Sequence, residues 1–428
     1  MTYSEALERI HSLLSFGSRP GLDRVRELLR RMGNPQDKLQ YIHVAGTNGK
    51  GSVCAVLSSV LVAAGYKTGL FISPYITDFR ERIQINNQMI SEKALITAVE
   101  ETYPLLEQLQ TEGIVITEFE YVNALEFYIH AQAGCDIVVL EVGMGGLLDS
   151  TNVILPPLCA VIATIGLDHT AILGDTIAAI AEQKCGILKE GSLAVTSAQC
   201  EEAIRVIRDT AAQRNIPLIE SGSVALNIKE ISLGGSVFDY LGEEMRLRLA
   251  GDHQIENAKT ALAAIAALTE RGKLNISRDN IKEGLKNAVN PARLETLHDD
   301  PLVVLDGAHN PNGIEALKKA IDRFLGGRKI VCMMGMLADK DIDSALALLD
   351  GVFDAIYTVP IDNPRALSSK ALAEKCRTHA KEVQSFDSAE NGFDAAYAKA
   401  ESENAALLIC GSLYLAGAVR PYIIEKFS

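Results

Sequence analysis

The sequence has no C-x-x-C pair, no low-complexity tract, no excess of basic charge and no apolar run of membrane-spanning length. Each absence excludes a class of protein. The eight cysteines (Cys54, Cys135, Cys159, Cys185, Cys200, Cys332, Cys376 and Cys410) are scattered, and several lie in apolar runs such as Leu408-Ile409-Cys410. Thiols placed this way behave as small core residues, which speaks against a disulfide scaffold and for a reducing cytoplasm. A formal net charge of -14 argues against non-specific binding to nucleic acid or anionic membrane, both of which need basic surface. Apolar runs such as residues 60–64 are soon broken by glycine, proline or charge. The first ten residues have an amphipathic helical pattern without the uncharged core of a signal peptide. A cytoplasmic protein with no membrane and no nucleic-acid partner is therefore expected.

What is present is an ordinary globular composition, 48% hydrophobic and 22% charged over 428 residues. That length exceeds what one core usually organises, so two domains are expected. Short Val- and Ile-rich runs at 41–45, 67–72, 136–140 and 160–165 read as strands, with helical spacing at 52–64 and 118–132 between them. Such βαβ alternation implies a parallel sheet covered by helices. Residues 224–249 alternate apolar and polar with glycine punctuation, the pattern of a small antiparallel region. A helix over 254–271 follows, then Asn290-Pro291 and Asp299-Asp300-Pro301. Beyond them the βα rhythm restarts with strands at 302–305, 330–334, 355–359 and 406–410. The fold class expected is α/β. A P-loop mononucleotide-binding parallel-sheet domain spans 1–295, and a smaller Rossmann-like domain spans 296–428. No short fixed period is present, which excludes a solenoid.

The strongest local signal is Gly46-Thr47-Asn48-Gly49-Lys50-Gly51-Ser52, directly after a strand and opening a helix. Glycines let backbone amides converge on anionic oxygens, and a helix N-terminus adds partial positive charge. Lys50 would reach the β- and γ-phosphates, and Ser52 could help hold phosphate or Mg²⁺. Taken bare, the segment could be a glycine-rich turn with a solvated lysine; the strand–loop–helix setting favours a nucleotide. It departs from G-x-x-x-x-G-K-[ST], since Val44 stands at the first glycine and Gly51 separates Lys50 from Ser52. Asp136-Ile137-Val138-Val139-Leu140-Glu141 is an apolar strand ending in a carboxylate, a hard oxygen ligand suited to Mg²⁺. His169 in Ile165-Gly166-Leu167-Asp168-His169 ends the next strand, at the edge where open α/β sheets bind ligands.

The departure from the strict loop pattern is informative. G-T-N-G-K-G-S resembles the phosphate loop shared by folylpolyglutamate synthases, dihydrofolate synthases and Mur peptide ligases. Other segments resemble the same family in order along the chain, from Arg19-Pro20-Gly21-Leu22 to Gly411-Ser412-Leu413-Tyr414. They include Ser73-Pro74-Tyr75, Phe79-Arg80-Glu81-Arg82-Ile83, Thr117-Glu118-Phe119-Glu120, Val142 to Asn152, Glu182 to Ile187, His253 to Ala258, Pro291 to Glu295 and Asp306 to Pro311. Tyr75 replaces a family histidine, Gln183 an acid, Cys185 an alanine and Ala292 a glycine.

The resemblance implies ATP and Mg²⁺ as cofactors. Gly46, Thr47, Asn48, Gly49, Lys50, Gly51, Ser52, Asn257, Arg293 and Asp306 would contact the nucleotide, while Ser73, Glu141 and His169 would hold metal. Catalytic roles fall to Lys50, His169, Lys184, Asp306 and His309, with Lys184 aligned to a lysine that is carbamylated in some members. The implied reaction joins L-glutamate to the terminal carboxylate of a folate through an acyl phosphate in a monomeric enzyme, with dihydropteroate an open second acceptor. Two domains meeting at the site would exclude water from the acyl phosphate. A Mur-type peptide ligase is the nearest alternative. It is disfavoured because only 45 residues precede Gly46, too few for a separate uridine-nucleotide domain. A nucleotide switch would need neither Glu141 and His169 nor the Asp306–His309 element.

Overall fold

The run Tyr41-Ile42-His43-Val44-Ala45 is buried at every position, as a strand covered on both faces must be. The computed structural model describes residues 1–17 and 21–428; Arg19 and Pro20 of the first family-like segment lie outside the described residues. The chain divides into two compact units. The first comprises Met1–Tyr75, Phe79–Leu226 and Glu256–Ala288, and the second Ile76–Asp78, Asn227–Ile255 and Val289–Ser428.

In the first unit the described strands are β1 (Tyr41–Ala45), β2 (Thr68–Phe71), β3 (Ile83–Ile85), β4 (Gln88–Met89), β5 (Ile137–Glu141), β6 (Cys159–Ile162), β7 (Leu193–Thr196) and β8 (Leu218–Glu220). They form one sheet in the order β4-β3-β2-β5-β1-β6-β7-β8. From β2 to β8 every pairing is parallel, and β3 and β4 close one edge as an antiparallel hairpin. Val44 lies beside Glu141 and Ala45 beside Ile162. The loops leaving β1, β5 and β6 therefore emerge together at one carboxyl edge, the ligand-binding edge of such sheets.

Helices cover this sheet around separate apolar clusters. One cluster gathers Val25, Leu28, Val99, Tyr121 and Leu125 with Phe71, Val138 and Leu140 of the strands. Another gathers Ile180, Ala203 and Ile207 with Ala160, Ile162 and Ala194. The helix expected over 52–64 runs Lys50–Ala63. It starts earlier because Gly49, left-handed at φ 85°, serves as its N-cap.

The second unit holds β9 (Asn227–Ser232), β10 (Gly235–Tyr240) and β11 (Glu243–Leu247), an antiparallel sheet of the kind the alternation implied. Its larger sheet contains β12 (Glu295–Asp299), β13 (Leu302–Leu305), β14 (Ile330–Met334), β15 (Ala355–Thr358), β16 (Glu382–Ser385) and β17 (Ala406–Cys410), in the order β12-β13-β17-β14-β15-β16. All pairings but that of β12 are parallel. Asp306 follows β13 directly, so it leaves the carboxyl edge beside the end of β17, where its amide donates to Ile409 O at 2.9 Å. No helix among the described residues is long and apolar enough to cross a membrane.

Candidate active site

The phosphate loop is held from outside before any ligand is considered. The amides of Thr47 and Asn48 donate to Thr164 O on the β6 loop at 2.8 and 3.1 Å. The Thr47 hydroxyl donates to Gly166 O at 3.0 Å and accepts from Gly166 N at 3.1 Å. Two of the residues expected at the nucleotide thus anchor the loop through these groups. The turn that follows is the helix N-terminus, where Lys50 and Gly51 amides have no intrahelical acceptor and suit an anion. Gly49 is required there on two counts. Its φ is 85°, and a Cβ would stand 2.3 Å from Asn257 Oδ1, which brings the expected Asn257 against the loop.

Two lysines bracket this loop. Lys50 Nζ donates to Thr47 O at 3.3 Å and lies 4.0 Å from Glu141 Oε1. Lys184, the last residue of the helix Ile177–Lys184, donates to Gly46 O at 2.8 Å and is buried. Burial, reinforced by repulsion from Lys50, pushes its ammonium down to about 7. A buried amine that sheds its proton near neutrality is a reactive amine. Glu141 is also buried, and its Oε2 accepts the Ser73 amide at 3.1 Å. Lys50, Glu141, Ser73, Gly46, Asn257 and Lys184 are thus brought together.

His169 is placed differently. It stands exposed on the β6 loop at φ 51°, with its amide on Asp168 Oδ1 at 2.9 Å. Among the described residues no group of three or more His, Cys, Asp or Glu side chains is arranged to hold a metal ion. The donor set for Mg²⁺ is accordingly sparse: one buried carboxylate beside the phosphate loop and a serine. That fits an ion which keeps most of its ligands as water and phosphate oxygen.

The second unit carries its own polar cluster. Asp306 is buried and accepts two amides, Leu294 N on Oδ2 at 2.9 Å and Ala308 N on Oδ1 at 2.8 Å. His309 Nδ1 lies 2.8 Å from Gly307 O; a carbonyl only accepts, so the proton is on Nδ1. Arg293 Nη1 donates to Ala292 O at 3.3 Å.

Sequence reasoning missed two supports. Gln199 accepts Ile165 N at 3.0 Å and donates to Ala163 O at 2.9 Å, fixing the β6 loop; no motif surrounds it. His43 on β1 lies 2.9 Å from Thr151 Oγ1. That hydroxyl donates to Asp149 Oδ1 at 2.5 Å, so it must accept from His43, whose proton is on Nε2. Asp149 Oδ2 in turn accepts Met144 N at 2.8 Å. The chain His43–Thr151–Asp149 thereby ties the strand that feeds the phosphate loop to the loop after Glu141. Complete burial pushes the His43 ring down to about 3 and keeps it neutral. The available signal was a histidine inside an otherwise apolar strand.

Comparison with known proteins gives a consistent result. The family model of the Mur ligase middle domain matches residues 44–268, and that of the Mur ligase glutamate ligase domain matches residues 292–413. The dihydrofolate synthase/folylpolyglutamate synthase of Bacillus subtilis is 37% identical, over 98% of this chain and 98% of its own length. Mycobacterium tuberculosis folylpolyglutamate synthase, solved with ADP and AMPPCP, has a TM-score of 0.90 at 31% identity, covering 98% of this chain and 99% of that one. Escherichia coli FolC, solved with DHPP and ADP, has a TM-score of 0.87 at 32% identity, covering 100% of this chain and 99% of that one.

Proposed function

Because the chain belongs to the folylpolyglutamate synthase/dihydrofolate synthase family of Mur ligases, we propose that it uses ATP to join L-glutamate to the terminal carboxylate of a folate. The observation that carries this reading is the meeting of Lys50, Glu141 and Lys184 at one glycine loop, in a chain matched end to end by such synthases. A peptide ligase is no better supported.

The folate carboxylate attacks the γ-phosphorus of ATP, ADP leaves, and an acyl phosphate forms. The amine of glutamate then attacks the acyl carbon; phosphate departs, the nitrogen loses a proton and an amide remains. Charge builds on the transferred phosphoryl group, so fixed positive groups lower the barrier without reorganising. Lys50 serves at the β/γ-phosphates. Arg293 meets phosphate oxygens in a bidentate geometry that lysine cannot copy. Asn257 and the amides of the first helical turn seat the nucleotide. Glu141 and Ser73 would hold Mg²⁺, with His169 the further ligand that the family resemblance implies, and the ion would supply charge neutralisation to the phosphates. Asp306 and His309 serve the nucleotide and glutamate ends. The near-neutral pKa of Lys184 supports its carbamylation, in which the amine adds to carbon dioxide and releases a proton. Dihydropteroate as a second acceptor belongs to the same proposal. So does a cytoplasmic setting, supported by eight free cysteines of which seven are buried.

The test is positional. With ¹⁸O in the folate carboxylate, one labelled oxygen should appear in the released phosphate. Unlabelled phosphate alongside ligated product would contradict the acyl phosphate.

A further inference from the structure

Arg293 sits in a turn that its neighbours do not favour. Ala292 and Leu294, on either side of it, have φ of 55° and 48°, although each carries a Cβ and both are buried. This left-handed conformation costs free energy for any residue but glycine, and more for a bulky one. Such backbone persists only where its surroundings over-determine it, and it concentrates at functional sites.

Here two carboxylates do so. Glu295 Oε2 accepts the Ala292 amide at 2.9 Å, and Asp306 Oδ2 accepts the Leu294 amide at 2.9 Å. Glu295 is itself gripped from the last helix, Leu413–Lys426. Arg420 Nε reaches Oε2 at 2.9 Å and Oε1 at 3.1 Å, and its Nη2 reaches Oε1 at 2.7 Å. The Arg293 guanidinium passes over Gly307, where a Cβ would stand 2.7 Å from Nη1. Turn, guanidinium and floor are therefore fixed together, and the farthest member in sequence is Arg420.

We propose that Arg420 is a positioning residue for the ligase reaction: by fixing Glu295 it locks the strained turn that aims Arg293 at phosphate. The proposal rests on the reading of Arg293 as a phosphate contact. A purely structural role predicts something different. The Arg420 and Glu295 side chains are 23% and 22% exposed and pair as a bidentate fork, a geometry that contributes to stability. A lower melting temperature is thus common to both roles, whereas a loss of turnover that depends on Arg293 belongs to positioning alone.

The test is a double-mutant cycle on kcat/KM for ATP, at saturating tetrahydrofolate and glutamate, with melting temperatures measured alongside. Arg420→Met should lower kcat/KM about tenfold to a hundredfold, the scale of a misplaced contact. Arg420→Lys, which keeps the charge but not the fork, should recover part of the loss. In an Arg293→Ala background Arg420→Met should cause no further loss, because its route to the substrate is already gone. Equal losses in both backgrounds, or wild-type turnover for Arg420→Met, would overturn the proposal. If Arg420→Met does not fold, Arg420→Lys carries the same cycle. Full activity of Arg293→Ala alone would remove the phosphate-contact reading, and the proposal with it.

Discussion

The phosphate loop and the Arg293 turn hold tight backbone by opposite means. At the first, Gly49 takes φ 85° with Asn257 close against it, and the absence of a side chain makes the conformation cheap. At the second, Ala292 and Leu294 adopt φ 55° and 48°, and the cost is offset by carboxylates that accept both amides. At Gly49 the glycine loop keeps its shape by what that residue lacks, while Thr164 and Gly166 hold the residues before it. The clamped turn keeps its shape by what Asp306, Glu295 and Arg420 supply. A loop of the first kind should tolerate no added atom, whereas a turn of the second kind should tolerate a removed one.

The comparison can be broken most forcefully at the phosphate loop. Lys50→Ala should cost roughly 3 kcal/mol or more of transition-state stabilisation, on the scale of one preorganised donor. Steady-state ADP release measures it, and near-normal turnover would remove the nucleotide assignment. Gly49→Ala comes next. The left-handed conformation alone costs about 1–2 kcal/mol, and the clash with Asn257 adds to it, so both melting temperature and ATP affinity should fall.

A pH series sharpens the account of the buried lysine. Lys184 titrates near 7 in the folded chain against 10.5 when unfolded. Between these values the unfolded chain binds the proton that the folded chain has released, so stability rises with pH across the window. The burden of the buried charge is full below about pH 7 and disappears toward 10.5. Relative to Lys184→Met, the wild type should gain up to about 1.4 kcal/mol per pH unit over that range. Denaturant melts at several pH values in carbon-dioxide-free buffer, where the amine is unmodified, read this directly, and a flat difference would contradict the burial argument. The smallest effect is expected at the clamped turn. Ala292→Gly relieves local strain but adds freedom to the unfolded chain, so stability should change by less than about 1 kcal/mol.

The same contrast explains what was legible in the sequence. Motif residues announce themselves where residue type dictates conformation or chemistry, as at Gly49, Lys50, Glu141 and Lys184. The buried strands β13, β14 and β17 were readable because each is a continuous apolar run, and β1 and β5 because each is such a run with one exception, His43 within the first and the terminal Glu141 of the second. The edge strands β8 and β16 were not. The first has three residues, Leu218–Glu220, and the second, Glu382–Ser385, has valine as its single apolar residue, so neither supplies a periodic signal. Gln199, His43 and Arg420 were invisible for another reason. Each acts through a partner at least 34 residues away in sequence, and only the folded chain brings the pairs together. The β1 start of the phosphate loop was legible; the hydrogen bonds that fix its orientation through Thr164 and Gly166 were not.

The most direct test of the central claim is phosphate release from Mg-ATP, measured with tetrahydrofolate, with dihydropteroate, and with neither, each in the presence and absence of L-glutamate. Sustained release, matched one for one by glutamate incorporated, should require both a pterin-bearing carboxylate and glutamate. Release that is indifferent to the acceptor, or silence with both acceptors in protein that binds ATP, would contradict a folate ligase.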